Sequence, residues 1–191
     1  MNVTVICISG KALNGKDTTA GFLKEYLESK NYKVLIMHYA DLLKFICAKY
    51  FDWNGEKDDA GRTLLQRVGT DIVRNRRPNY WVDFVIEFIG VFYSNWDFII
   101  IPDTRFPNEI DRPKEAGLDV IHIRVTRPNF KSPLTEEQQN HPSEHALDHV
   151  VPNICLINSG TLEQLKEYVC EIGSRIVRYA TTKVLNKETD R

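Results

Sequence analysis

Residues 5 to 18, Val-Ile-Cys-Ile-Ser-Gly-Lys-Ala-Leu-Asn-Gly-Lys-Asp-Thr, hold the densest chemistry in the chain. Gly10, Gly15 and Lys16 follow the spacing G-x-x-x-x-G-K, which wraps backbone N–H groups around a phosphate and brings an ammonium to it. Glycines let the main chain approach an anion closely and adopt φ > 0. The N–H groups at the start of the next helix then point at phosphate oxygens. On this reading Gly10, Lys11, Asn14, Gly15, Lys16, Asp17 and Thr18 bind a polyphosphate, with Lys16 neutralising charge at its outer end. The motif ordinarily continues with Ser or Thr. Asp17 stands in that place and Thr18 follows it. Either side chain offers oxygen suited to Mg²⁺, directly or through water.

Three more constellations follow. Phe98 to Asp103 is an apolar run that ends in a carboxylate, the form of a Walker B strand, and Arg105 adds a cation two residues on. Asp103 is thereby expected to hold Mg²⁺ or its water; the alternative is a strand-end Asp that caps a turn. In residues 62–74, Leu64, Leu65, Val68 and Ile72 form an apolar stripe, while Gln66, Thr70 and Arg74 recur every fourth residue along one polar face. Gly69 beside them would admit a flat group or a backbone. An amide, a hydroxyl and a guanidinium in one row suit a base and its phosphate, and Tyr80 and Trp81 favour a pocket over a solvated helix face. The polar stretch 126–149, opened by Arg127 and containing Lys131, Glu136, Glu137, His141, Ser143, Glu144 and His145, reads as a closing lid. His141, His145 and His149 are four apart and raise a zinc site; with no cysteine nearby, solvated or substrate-facing histidines are the better reading.

The elements that position these groups alternate. Val3–Ile8, 33–38, Phe98–Ile101, Val120–Val125 and Ile154–Ile157 read as strands; 16–29, 41–50 with Asp41 as N-cap, 62–74, 79–94, 108–116 and 161–179 read as helices. Asp52–Gly61 reads as a polar loop and the last dozen residues as frayed. The alternation predicts an α/β domain with a five-stranded parallel sheet covered on both faces, ligands lying beyond the carboxyl ends of its strands. The 191 residues suffice for one such domain, without repeats or linkers. A net charge of −1 argues against a nucleic-acid polymer as partner. Cys7, Cys47, Cys155 and Cys170 form no C-x-x-C pair and read as reduced, buried core residues. Without a signal sequence or a membrane-spanning run, a cytoplasmic protein is expected.

The chain resembles the phage-type deoxynucleoside monophosphate kinases, a branch of the P-loop nucleotide kinases. The resemblance rests on Gly-Lys-Asp-Thr at 15–18, Tyr-Ala-Asp-Leu-Leu-Lys at 39–44, Leu-Leu-Gln-Arg-Val-Gly-Thr-Asp at 64–71, Tyr-Trp-Val at 80–82, Asp-Thr-Arg-Phe-Pro-Asn-Glu at 103–109 and Pro-Ser-Glu-His-Ala-Leu-Asp at 142–148. It implies one P-loop kinase domain: a core of 1–40, 95–125 and 150–180, a nucleoside-monophosphate-binding region of 41–94 and a lid of 126–149. It implies phosphorylation of a deoxynucleoside monophosphate by ATP with Mg²⁺, and hints at a homodimer.

Roles follow for individual residues. Lys16, Arg105 and Arg127 would stabilise the transferring group. Asp17, Thr18 and Asp103 would organise the metal. Asn158, Gly160 and Thr161 would border the donor adenine. Asp41, Lys44, Gln66, Gly69, Thr70, Arg74, Trp81, Asp103, Arg105 and Glu144 would surround the acceptor. Phosphomevalonate kinases share the Gly-Lys-Asp form of the loop. A hydroxyl-acceptor kinase with Asp41 or Asp103 as base, and a nucleotide-binding switch without transfer, are further alternatives.

Overall fold

The computed structural model describes residues 3–189, with side chains to residue 183. Five parallel strands form one sheet in the order β2-β3-β1-β4-β5. These are β1 (Thr4–Ser9), β2 (Val34–Ile36), β3 (Phe98–Thr104), β4 (Asp119–Thr126) and β5 (Ile154–Ile157). β1 is wholly buried at the centre. Its alternate residues divide between two cores, as a two-residue period requires. Ile6 and Ile8 join Ile100, Phe98 and the apolar sides of α1 (Lys16–Ser29) and α8 (Leu162–Thr189). Val5 and Cys7 join Ile99, Ile101 and residues of α4 (Tyr80–Phe92) and α5 (Asn108–Glu115) on the other face. A third, smaller cluster of Leu43, Cys47, Val68 and Trp81 ties α2 (Asp41–Tyr50) to the segment before α4.

Several boundaries differ from the sequence expectation. β2 is shorter than 33–38. β3 runs past Ile101 and carries Pro102 and Asp103 inside it. β1 pairs Cys7 with Ile101 but Ser9 with Thr104, so β3 bulges by one residue there. Proline cannot donate to the ladder, and a bulge is one place where a sheet tolerates it. Asp41 is not the N-cap of α2. Ala40 takes that position, and the Asp41 carboxylate accepts the His38 N–H at 2.8 Å.

The helix expected over 62–74 begins earlier, as α3 (Asp59–Gln66), and then widens into a π-helical stretch from Arg67 to Arg74. Asp58 caps it by accepting the Gly61 N–H at 2.7 Å, so the polar loop ends sooner than expected. The lid segment is not irregular throughout: it holds α6 (Glu136–Asn140) and α7 (Pro142–His145). α8 continues ten residues beyond Tyr179, where fraying was expected; the final two residues lie outside the described residues. Cys7 and Cys47 are buried, but Cys155 is exposed on the edge strand and Cys170 half-buried. Among the described residues no helix is long and apolar enough to cross a membrane.

Candidate active site

The loop between β1 and α1 takes the shape its glycines permit. Gly10 has φ 148° and a Cβ there would stand 2.3 Å from the Val125 carbonyl oxygen, so β4 tolerates only glycine against it. Gly15 (φ 98°) caps α1 in the left-handed region. Lys16 is buried, and its ammonium curls back to donate to the Gly10 and Lys11 carbonyls, each at 2.9 Å. Burial, with the Arg105 charge nearby, lowers its pKa to about 7. Asn14 is buried and Asn158 donates to its carbonyl at 3.0 Å, so Asn158 braces the loop from the end of β5.

A cavity of about 300 Å³ opens beside this loop, at the carboxyl edge of the sheet. Of the expected residues it is lined by Lys16, Asp17, Lys44, Gln66, Gly69, Thr70, Arg74, Trp81, Asp103, Arg105 and Glu144. Asp17 sits with its carboxylate 3.5 Å from His38 Nε2. That hydrogen bond holds the Asp17 carboxyl below its ordinary pKa and the His38 ring above its own.

Other expectations need correction or relocation. Thr18 is exposed and does not line the cavity. Both Asp103 oxygens accept main-chain N–H groups, from Tyr39 and Ala40, each at 3.0 Å, so this carboxylate anchors the turn after β2, which is the capping alternative. Arg74 is not a free phosphate clamp. It pairs with Glu109 at 2.6 Å, donates to Asn108 at 3.1 Å and lies 3.8 Å over the Phe106 ring. Gly69 serves packing: a Cβ there would stand 2.6 Å from Leu43 Cδ2. The Trp81 indole N–H donates to the Gly69 carbonyl at 3.0 Å, which makes the ring a fixed wall of the pocket.

Asp41 lies outside the cavity lining and engages Lys44 at 3.2 Å. Gly160 and Thr161 also lie outside it. Thr161 and Gln164 exchange reciprocal hydrogen bonds at the start of α8, a capping box. Arg127 is exposed and folds over Phe130, its guanidinium 4.5 Å from the ring centroid. The Lys11 ammonium turns from the loop to Asp148 at 2.7 Å. The three histidines do not converge: His141 lies 3.8 Å from Asp71 and His145 2.9 Å from Asp148. Among the described residues no three His, Cys, Asp or Glu side chains are grouped to hold a metal ion.

Cavity residues that sequence reasoning passed over are His38, Lys57, Arg62, Phe106, Glu109 and Gln138. Arg62 stands four residues before Gln66, so the polar row had one more turn to give. Glu109 lies within the quoted 103–109 motif, yet nothing in its spacing tells that it folds back. It is fully buried, with Oε2 accepting the Arg105 and Phe106 N–H groups at 2.6 and 3.1 Å. Burial pushes its carboxyl up to about 7, against the pull of Arg74 and these two donors.

A model of the deoxynucleotide monophosphate kinase family matches residues 37–169, more than half of the chain. The chain belongs to the deoxynucleotide monophosphate kinase family. It is 34% identical to the deoxynucleotide monophosphate kinase of Enterobacteria phage T4 over 158 residues, which cover 80% of this chain and 58% of that protein. It is 28% identical over 189 residues to a putative deoxynucleotide monophosphate kinase of Acanthamoeba polyphaga mimivirus, covering 85% of this chain and 92% of that one. The chain thus spans a little over half the length of its T4 relative, and 41% of that from Escherichia phage RB69. Among solved structures, a sugar kinase from Janibacter sp. HTCC2649 superposes with a TM-score of 0.53 at 14% identity, over 88% of this chain and 92% of that one. The APS kinase of Mycobacterium tuberculosis does so at 0.50 and 10%, over 89% and 96%. At such identities the likeness shows the fold.

The depressed pKa of Lys16 has a measurable consequence. An incoming polyphosphate favours the ammonium form and returns the pKa towards its ordinary value. At pH 8 the free protein holds this amine mostly neutral, so nucleotide binding is expected to take up roughly one proton. Titration calorimetry in buffers of different ionisation enthalpy reads that uptake, and Lys16→Met should abolish it. Equal uptake by both proteins overturns the assignment. Without ligand, the folded state binds fewer protons than the unfolded one between pH 7 and 10.5, so through this group stability rises with pH across that window.

Proposed function

We propose that the protein transfers the γ-phosphoryl group of ATP to the phosphate of a deoxynucleoside 5′-monophosphate. An acceptor phosphate oxygen bonds to the γ-phosphorus as the bond to the β,γ-bridging oxygen breaks, giving ADP and the deoxynucleoside diphosphate. The carrying observation is that one cavity runs from Lys16 and Asp17 of the phosphate loop to Gln66, Thr70 and Trp81 of the helical side, so a donor and an acceptor can meet within it.

The acceptor phosphate is already ionised near neutral pH, so the nucleophile needs no general base. The barrier lies in bringing two polyanions together and in the charge spread over the transferring group. Lys16 and the loop amides hold the donor phosphates, and Arg105 faces the transferred group. Lys44 and Arg62 reach the acceptor phosphate; Arg74, expected there together with Lys44, is held by Glu109 instead. Gln66 and Thr70 offer hydrogen bonds to the base or sugar, and Trp81 bounds its plane. Arg127 and the stretch from 127 to 140 are left as the part that closes.

Mg²⁺ suits the donor set. Asp17 presents an oxygen whose nearest partner is His38 at 3.5 Å, at the head of α1. Such sites need one or two carboxylates, with phosphates and waters completing the shell. Asp17 would hold the ion, directly or through water. When bound, the metal neutralises phosphate charge.

Coupled ADP release, measured against deoxy- and ribonucleoside monophosphates and phosphomevalonate, tests the reading. Stimulation by at least one deoxynucleoside monophosphate is expected. Stimulation by phosphomevalonate alone, or by none of them, rejects it.

A further inference from the structure

Glu144 joins three parts of the site. Its Oε2 accepts the Ala12 N–H of the phosphate loop at 3.0 Å, and its Oε1 is ion-paired with the Arg105 guanidinium. The side chain is 8% exposed. The residue also stands on firm ground. His141 Nδ1 caps α7 by accepting the Ser143 N–H at 3.2 Å. Leu147 packs into the same core as Val5 and Ile99. Arg124 donates to the Leu147 and Val150 carbonyls, and Lys11 pairs with Asp148. The second half of the expected lid is therefore fastened to the sheet and the loop.

Arg105 is thus gripped at both ends: Glu109 accepts its main-chain N–H at 2.6 Å and Glu144 engages its guanidinium. A long cationic side chain near the buried Lys16 ammonium would otherwise be repelled and would sample many rotamers. We infer that Glu144 is a positioning residue that couples the donor loop to Arg105 and fixes that guanidinium over the transfer site. This rests on the kinase reading above. A guanidinium aimed in advance costs no reorganisation in the transition state, where its charge counts most.

Turnover of four variants tests it, on proteins whose folding is checked by circular dichroism. Glu144→Gln keeps the shape but loses the charge, and its kcat is expected to fall about 100-fold, as for a misaimed group, with both KM values within about threefold. Glu144→Asp keeps the charge and should recover part of that loss, so the test survives if the Gln variant does not fold. Adding Glu144→Gln to Arg105→Ala should slow the enzyme no further, since the carboxylate acts through the arginine. Asp148→Asn, which loosens only the exposed pairs with Lys11 and His145, should stay within about twofold of wild type.

Additive losses overturn the inference. So does Asp148→Asn as slow as Glu144→Gln, or an Asp variant slower than the Gln variant. A fall in KM for ATP in Glu144→Gln would make the carboxylate a stand-in anion that substrate displaces, and overturns it too. A wild-type protein silent with every acceptor rejects the functional reading itself, and the inference with it. A wild-type protein that turns over, with Glu144→Gln above one third of its kcat, rejects the inference alone.

Discussion

Lys16→Ala should lower kcat by about 100- to 1000-fold, the usual cost of deleting one preorganised donor to transition-state charge. It should leave the melting temperature within a few degrees of wild type. In the ligand-free protein the ammonium does no more than donate to two carbonyls of its own loop, those of Gly10 and Lys11. Losing those bonds costs on the order of 1 kcal/mol each. Removing an amine whose burial already lowers its pKa to about 7 relieves a comparable penalty. Function and stability therefore separate at this residue. Single-turnover kinetics with the acceptor saturated, alongside a thermal melt, read both. A variant that turns over within tenfold of wild type would remove Lys16 from the chemistry, whereas one that fails to fold would make it structural.

The second large effect is expected at Glu109, and there it falls on stability. Glu109→Ala leaves the Arg74 guanidinium and the Arg105 and Phe106 amides without their shared acceptor. Breaking a buried pair on one side costs about 3–5 kcal/mol. In a domain of this size that lowers the melting temperature by roughly 6–20 °C. Arg105 should also lose its place, so turnover falls in the fraction that stays folded.

Glu109→Gln keeps the volume and separates charge from packing. The wild-type carboxyl is raised from 4.5 to about 7 by burial, so the folded state binds more protons than the unfolded state between those values. This group's contribution to stability is greatest below pH 4.5 and declines as pH rises to 7. The gap between wild type and Glu109→Gln in urea unfolding should accordingly narrow from pH 5 to pH 8. A gap that stays level over the same range, and shrinks only below pH 4.5, would mean that Arg74 and the two amides outweigh burial and hold the carboxyl ionised.

The division between what was legible in the chain and what was not follows the range of the interactions. The loop was legible because its chemistry is local. Gly10, Gly15 and Lys16 lie within seven residues, and backbone conformation plus a helix start suffices to describe an anion cradle. The five strands were legible because each is a short apolar run, and a parallel sheet buries both faces. The row of Gln66, Thr70 and Arg74 kept its common side even though the helix there widens from α to π.

What failed to show were the partners of side chains far apart in sequence. Asp103 looked like a metal ligand because an apolar strand ends in a carboxylate. Only the fold brings the Tyr39 and Ala40 amides to it, across 64 and 63 residues. Arg74 looked like a free cation until Glu109, 35 residues on, lay against it. The sequence by itself set the class of ligand to expect, through residue types whose spacing presets backbone geometry and charge. The tertiary structure decided which of those charges remain free to meet it, because an ionic side chain takes whichever counter-charge or amide the packing brings within about 3 Å.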